Sequence, residues 1–89
     1  GDIDLVTAPR LENTVRGAVA ASTSVRLDLS GVEFFSSAGV TALENVLRDL
    51  PGGIEAVIAP SPRVMRTLTI LGLDRSVPVV TDAAELAPR

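Results

Sequence analysis

The sequence predicts a small α/β domain with a mainly parallel sheet and helices packed on it. Two observations carry that prediction. Segments of 3.6-residue and two-residue hydrophobic period alternate along the chain, and the changes of period fall at Gly, Pro, Ser or Thr. The resulting order is helix, strand, helix, strand, helix, strand, helix, which implies right-handed crossovers between parallel strands. No repeat, linker or low-complexity segment interrupts it, so residues 1–89 read as one domain with one core.

Gly1 to Asp4 reads as the tail of a strand or a turn. Thr7 then offers a helix N-cap, with Pro9 in the first turn where its missing amide costs nothing. Leu11, Val15, Ala18 and Val19 follow at helical spacing, opposite Arg10, Glu12, Asn13 and Arg16, which predicts an amphipathic helix of about 14 residues. Residues 21–24 are small and polar and connect into a strand, Val25 to Ser30, whose Val25, Leu27 and Leu29 share one face. A short loop leads to a helix with Val40, Leu43, Leu47 and Leu50 on its buried side, stopped by Pro51-Gly52-Gly53. Ile54 to Ile58 is an apolar run broken only by Glu55, the pattern of a strand covered on both faces. Ser61 and Pro62 start the third helix, with Val64, Met65, Leu68 and Leu71 as its buried stripe, Gly72 as its stop and Leu73 as the hydrophobic clasp beyond. Val77 to Val80 is a short strand that Pro78 confines to an edge or an end. Asp82 and Glu85 have capping-box spacing for a last short helix.

Composition prunes the chemistry. At 46% hydrophobic and 21% charged the chain has the make-up of a folded domain. Its net charge is −3, and it has two aromatic residues and no Trp or Tyr, so it lacks the basic surface and stacking platforms of a nucleic-acid binder. The absence of Cys, His and Lys removes disulfides, Cys/His metal sites, Ser-His and Ser-Lys nucleophiles and the P-loop lysine. No stretch approaches the roughly 18 apolar residues of a membrane span. A carboxylate or Mg²⁺ enzyme is left, but no acidic pair faces a Gly-rich phosphate cradle, so the chain reads as a non-enzyme without cofactor or metal. The compartment is read as cytoplasmic.

The chain is organised around residues 25–47, VRLDLSGVEFFSSAGVTALENVL. A strand here delivers Ser36 and Ser37 to the start of a helix, whose first amides lack intrahelical partners and carry the positive end of the dipole. One serine hydroxyl is expected to cap the helix, and a phosphoryl group at the other would be stabilised. Strict alternation buries one of Phe34 and Phe35 and leaves the other near the surface as an anchor for a partner.

Three segments carry a resemblance to a known family. DLSGVEFFSSAGV is similar to the signature of the STAS domain, the fold of bacterial anti-sigma factor antagonists. GDIDLVTAPRL resembles the family's entry into its first helix, and SPRVMRTLTILGLDRSVPV its last helix and following strand. In that family a serine at this helix start is phosphorylated by an anti-sigma factor that is itself a serine kinase. The unphosphorylated domain binds that partner and frees the sigma factor. The resemblance therefore implies a cytoplasmic anti-sigma factor antagonist with Ser37 as phosphoacceptor and Asp4, Asp28, Phe35, Ser36, Ala38 and Gly39 as partner-binding positions. Ser36 departs from the family pattern, which has aspartate there. That substitution keeps open a second reading, a STAS interaction module of a transporter, signalling scaffold or lipid-transport complex that works without phosphorylation. Family members carry further strands before the position where this sequence starts. A domain trimmed of its N-terminal strands, with an open sheet edge available for self-association, is therefore expected.

Overall fold

A computed structural model of the chain describes residues 1–22 and 24–86. Its elements are β1 (Asp2–Ile3), α1 (Ala8–Ala21), β2 (Val25–Asp28), β3 (Phe34–Phe35), α2 (Ser37–Asp49), β4 (Ile54–Ile58), α3 (Pro62–Ile70) and β5 (Val79–Val80), with single 3₁₀ turns at Leu73–Arg75 and Ala83–Glu85. Every strand pairing is parallel, in two ladders ordered β1-β3 and β2-β4-β5. Thr23, in the expected connection before β2, and residues 87–89 lie outside the described residues.

The core sits around β4, the middle strand of its ladder. Ile54 and residues 56–59 are buried, and only Glu55 turns outward, where its carboxylate meets Arg26 of β2 at 2.6 Å. Phe35, Leu43, Val46, Val57, Val64, Leu68 and Leu73 fill the space between the ladders and the helices and are essentially inaccessible to water. α1 packs along α2, and α3 packs on β3. Arg16 of α1 joins the first two helices by bonding Asp49 of α2 at 2.8 Å, and is itself held by Glu12, one turn earlier on α1, at 2.9 Å. At the end of α3 the backbone of Gly72 turns left-handed (φ 81°), which favours glycine, and the chain then buries Leu73 as the clasp.

Several expectations change in detail. Thr7 stands before α1, but its hydroxyl does not cap the helix; Asp4 organises that turn instead. Ala18 is exposed because α1 buries only the side of Ala8 and Val15. Leu71 is 41% exposed because α3 ends at Ile70, so it leaves the helical stripe. The loop expected before α2 contains a further short strand, β3, in register with β1 (Asp2↔Phe34, Ile3↔Phe35). Asp82 caps the last turn by accepting the Ala84 amide at 2.9 Å, while Glu85 bonds Thr81 rather than returning to the cap, and the turn is 3₁₀. β1, β2, β3 and β5 each pair on one side among the described residues.

Two glycines make opposite predictions. A Cβ on Gly39 would lie 2.7 Å from Ile3 Cγ2 and from Phe35 Cε1, whereas one on Gly17 would meet nothing within 4 Å. Gly39→Ala is expected to destabilise by about 1–3 kcal/mol through overpacking, and Gly17→Ala to stabilise by up to about 1 kcal/mol through helix propensity. Thermal unfolding checks both, at about 4–8 °C per kcal/mol for a domain of this size.

Candidate functional site

The site is built where β1 and β3 end side by side. The Ser36 amide donates to the Ile3 carbonyl at 2.8 Å, extending the β1-β3 ladder by one bond before the chain turns into α2. The Ser36 carbonyl then accepts from Gly39 at 3.0 Å and Val40 at 3.3 Å, which begins the helix. Gly39 lets this first turn lie directly on Ile3 and Phe35. Ser37, the first helical residue, is thereby held in place and faces solvent. The amides of Ser37 and Ala38 have no acceptor among the described residues, so the positive end of α2 is open at the exposed hydroxyl.

The two serines differ sharply. Ser36 occupies the N-cap by backbone geometry, yet its hydroxyl makes no capping bond; Ser36 Oγ is buried and unpartnered. The expected side-chain cap is thus absent, and the hydroxyl that a partner can reach is that of Ser37. The two phenylalanines are resolved as well. Phe35 is 1% exposed and packs in the core, while Phe34 is 44% exposed. Pairing with Ile3 turns Phe35 inward, so the ring available to a partner is Phe34, a correction to the partner-facing role expected of Phe35. Gly39 is likewise buried against the sheet rather than open to a partner.

Asp4 follows β1 directly. Its Oδ1 accepts the Val6 and Thr7 amides, each at 3.0 Å, and lies 3.1 Å from the Thr7 hydroxyl, which in turn accepts the Asp4 amide at 2.8 Å. The Thr7 amide, then its hydroxyl and the Val6 amide, hold the Asp4 carboxyl below its ordinary value of 3.8. This closed turn lifts Leu5 and Val6 into solvent, 79% and 84% exposed, an apolar pair that sequence reading missed. Between α1 and α2 runs a groove of about 400 Å³. Leu5 and Pro9 line one side and Ala38 and Thr41 the other, with Glu12 and Asn45, 3.5 Å apart, among its polar lining. Thr41 and Asn45 stand four and eight residues after Ser37, so helical spacing alone placed them on its side of α2. Asp28 ends β2 in the other ladder, exposed, and accepts the Ser30 amide at 2.9 Å as a turn former. No described hydrogen bond or ion pair ties Asp28 to the start of α2.

The STAS domain family model matches residues 1–86, nearly the whole chain. The chain belongs to the STAS domain family. Within that family it is similar to the anti-sigma-F factor antagonist RsfB of Mycobacterium tuberculosis, in the CDC 1551/Oshkosh and H37Rv strains alike. Identity is 33% over 78 residues, covering 85% of this chain. The alignment spans 64% of those relatives' length. It is also similar to the crystal structure of an anti-sigma factor antagonist from Mycobacterium paratuberculosis, at a TM-score of 0.83 and 34% identity, covering 96% of this chain and 74% of that one.

In this STAS domain no group of three or more His, Cys, Asp or Glu side chains could hold a metal ion among the described residues. Among them too, no helix is long and apolar enough to cross a membrane. Two carboxyls are held below the ordinary carboxylate value: Asp4, at the site, and Asp49, which is bonded by Arg16 and then Arg48. Both are depressed in the folded state, so their stabilisation is complete above about pH 4 and is lost as pH falls through the lower folded values. Thermal unfolding between pH 6 and pH 2 is expected to show that acid loss. Asp4→Asn, which keeps an acceptor but cannot titrate, is expected to reduce it and leave the part due to Asp49.

Proposed function

We propose that this STAS domain is an anti-sigma factor antagonist of the cytoplasm. It binds an anti-sigma factor of the serine-kinase type through the face around the start of α2. Phosphorylation of Ser37 by that partner switches it off. The observation that carries this reading is the placement of Ser37: one reachable hydroxyl at an open helix N-terminus, next to Ala38, which together with the exposed Leu5 lines the groove between α1 and α2. The similarity to two anti-sigma factor antagonists supplies the class of partner.

The domain acts by binding rather than turnover. The partner transfers the γ-phosphoryl group of ATP to Ser37 Oγ: the Oγ–P bond forms as the β,γ P–O bond breaks, ADP leaves, and the hydroxyl proton goes to a base on the kinase. The product carries close to two negative charges at neutral pH. Within the free domain the open amides of Ser37 and Ala38 and the helix dipole accommodate them. Inside an interface the same charges must lose water against whatever the partner presents, and 1.4 kcal/mol of that difference is a tenfold loss of affinity.

Ser36 favours a second reading. The aspartate of the family pattern is absent, and the serine that replaces it buries its hydroxyl, so position 36 offers a kinase no carboxylate to recognise. In that reading the same face binds a partner without modification. Intact mass and site mapping of the protein from its native host separates the two. Phosphorylation predicts one phosphoryl increment at Ser37, lost in Ser37→Ala, and at least tenfold weaker binding of the anti-sigma factor by Ser37→Glu. An unmodified protein that still recovers a partner supports the second reading.

A further inference from the structure

Away from Ser37, charge is unevenly distributed. Residues 56–81 contain three arginines and one carboxylate, Asp74, whereas the rest of the chain carries ten carboxylates against five arginines. Arg63 and Arg66 stand on the first turns of α3, exposed, and neither pairs with a carboxylate among the described residues. Arg16, Arg26 and Arg48 all do. Helical spacing continues the stripe to Ile70, four residues after Arg66 and seven after Arg63, on the side opposite the buried Val64 and Leu68. Ile70 is 73% exposed, and Leu71 beside it 41%. A single exposed aliphatic residue is ordinary. Two at the end of an unpaired arginine stripe, on the one basic segment of an acidic chain, are a surface with a defined complement.

We propose that the outer face of α3 is a second docking surface that takes an acidic, amphipathic segment of a partner protein. Carboxylates of that segment meet Arg63 and Arg66, and an apolar side chain covers Ile70 and Leu71. The planar guanidinium fork fits a carboxylate with two parallel hydrogen bonds. Residues 56–81 contain no Lys and no aromatic residue, and the whole chain is acidic. An anionic membrane draws on several cations with interfacial aromatics, and nucleic acid on a broad basic surface, so both are poorer complements. The face lies on a different helix from Ser37, and its assignment does not depend on phosphorylation.

The test is a titration of the ¹⁵N-labelled chain with a synthetic helical peptide bearing Glu and Leu on one face, followed by NMR. The expected result is shift changes confined to residues 63–71, weakened by salt. Affinity should fall at least tenfold for Arg63→Glu with Arg66→Glu, and for a peptide with every Glu changed to Gln. The milder Arg63→Gln with Arg66→Gln, checked for an unchanged circular dichroism spectrum, should fall between. The proposal is overturned if α3 resonances do not move or if the Gln peptide binds equally well. It is also overturned if phosphatidylglycerol vesicles, or a rise in protein concentration alone, perturb α3 more strongly than the peptide.

Discussion

The structure depends on the close approach of α2 to the β1-β3 ladder at Gly39. With no side chain there, the first turn of α2 rests on Ile3 and Phe35, and the Ser36 amide closes onto the Ile3 carbonyl. One contact therefore does two things. It buries Phe35 at the heart of the core, and it fixes where the helix begins, so that Ser37 emerges at a defined point with its amide free. A helix start moved by one residue would turn Ser37 by about 100° around the axis. The placement of the hydroxyl is thus a consequence of packing rather than of any bond the serine makes.

The ionic contacts arrange the surroundings of that point. Arg16, held by Glu12 on its own helix, ties α1 to α2 through Asp49 of α2, and the groove lined by Ala38 runs between the same two helices. These pairs are solvent-exposed, and each contributes little stability by itself. Their effect is geometric: Glu12 orients Arg16, and Arg16 holds the two helices together at Asp49. Asp4 does the same for the β1-α1 turn, with bonds that keep Leu5 and Val6 outside the core. An exposed Leu5 that shares a groove with Ala38, the neighbour of a reachable hydroxyl, suits a surface that is read by a partner.

Much of this was legible in the sequence because long periodic segments report their own burial. α1, the course of α2 from Ser37 and the apolar run of β4 follow from periodicity and punctuation, and three separated motifs carried the family. What was not legible depends on contacts distant in sequence. Alternation could not say which phenylalanine is buried, because β3 is only two residues long and its phase is set by pairing with β1. Thr7 and Ser36 are good capping residue types in capping positions, yet Asp4 won the first turn and burial silenced the second hydroxyl. Leu71 fits the stripe of α3 by spacing, but the helix ends one residue earlier. Local propensity named the right positions; tertiary packing decided which atoms do the work.

In the proposed function, charge at Ser37 would be read by the partner interface and not by the stability of the domain, since the anion would sit on an open helix N-terminus outside the core. The most direct measurement compares urea unfolding of the singly phosphorylated and unphosphorylated chain, alongside the affinity of each for the anti-sigma factor. The predicted result is equal or slightly higher stability on phosphorylation together with at least a tenfold loss of affinity. A phosphorylated chain that unfolds more readily, or that binds its partner as tightly as before, would contradict it.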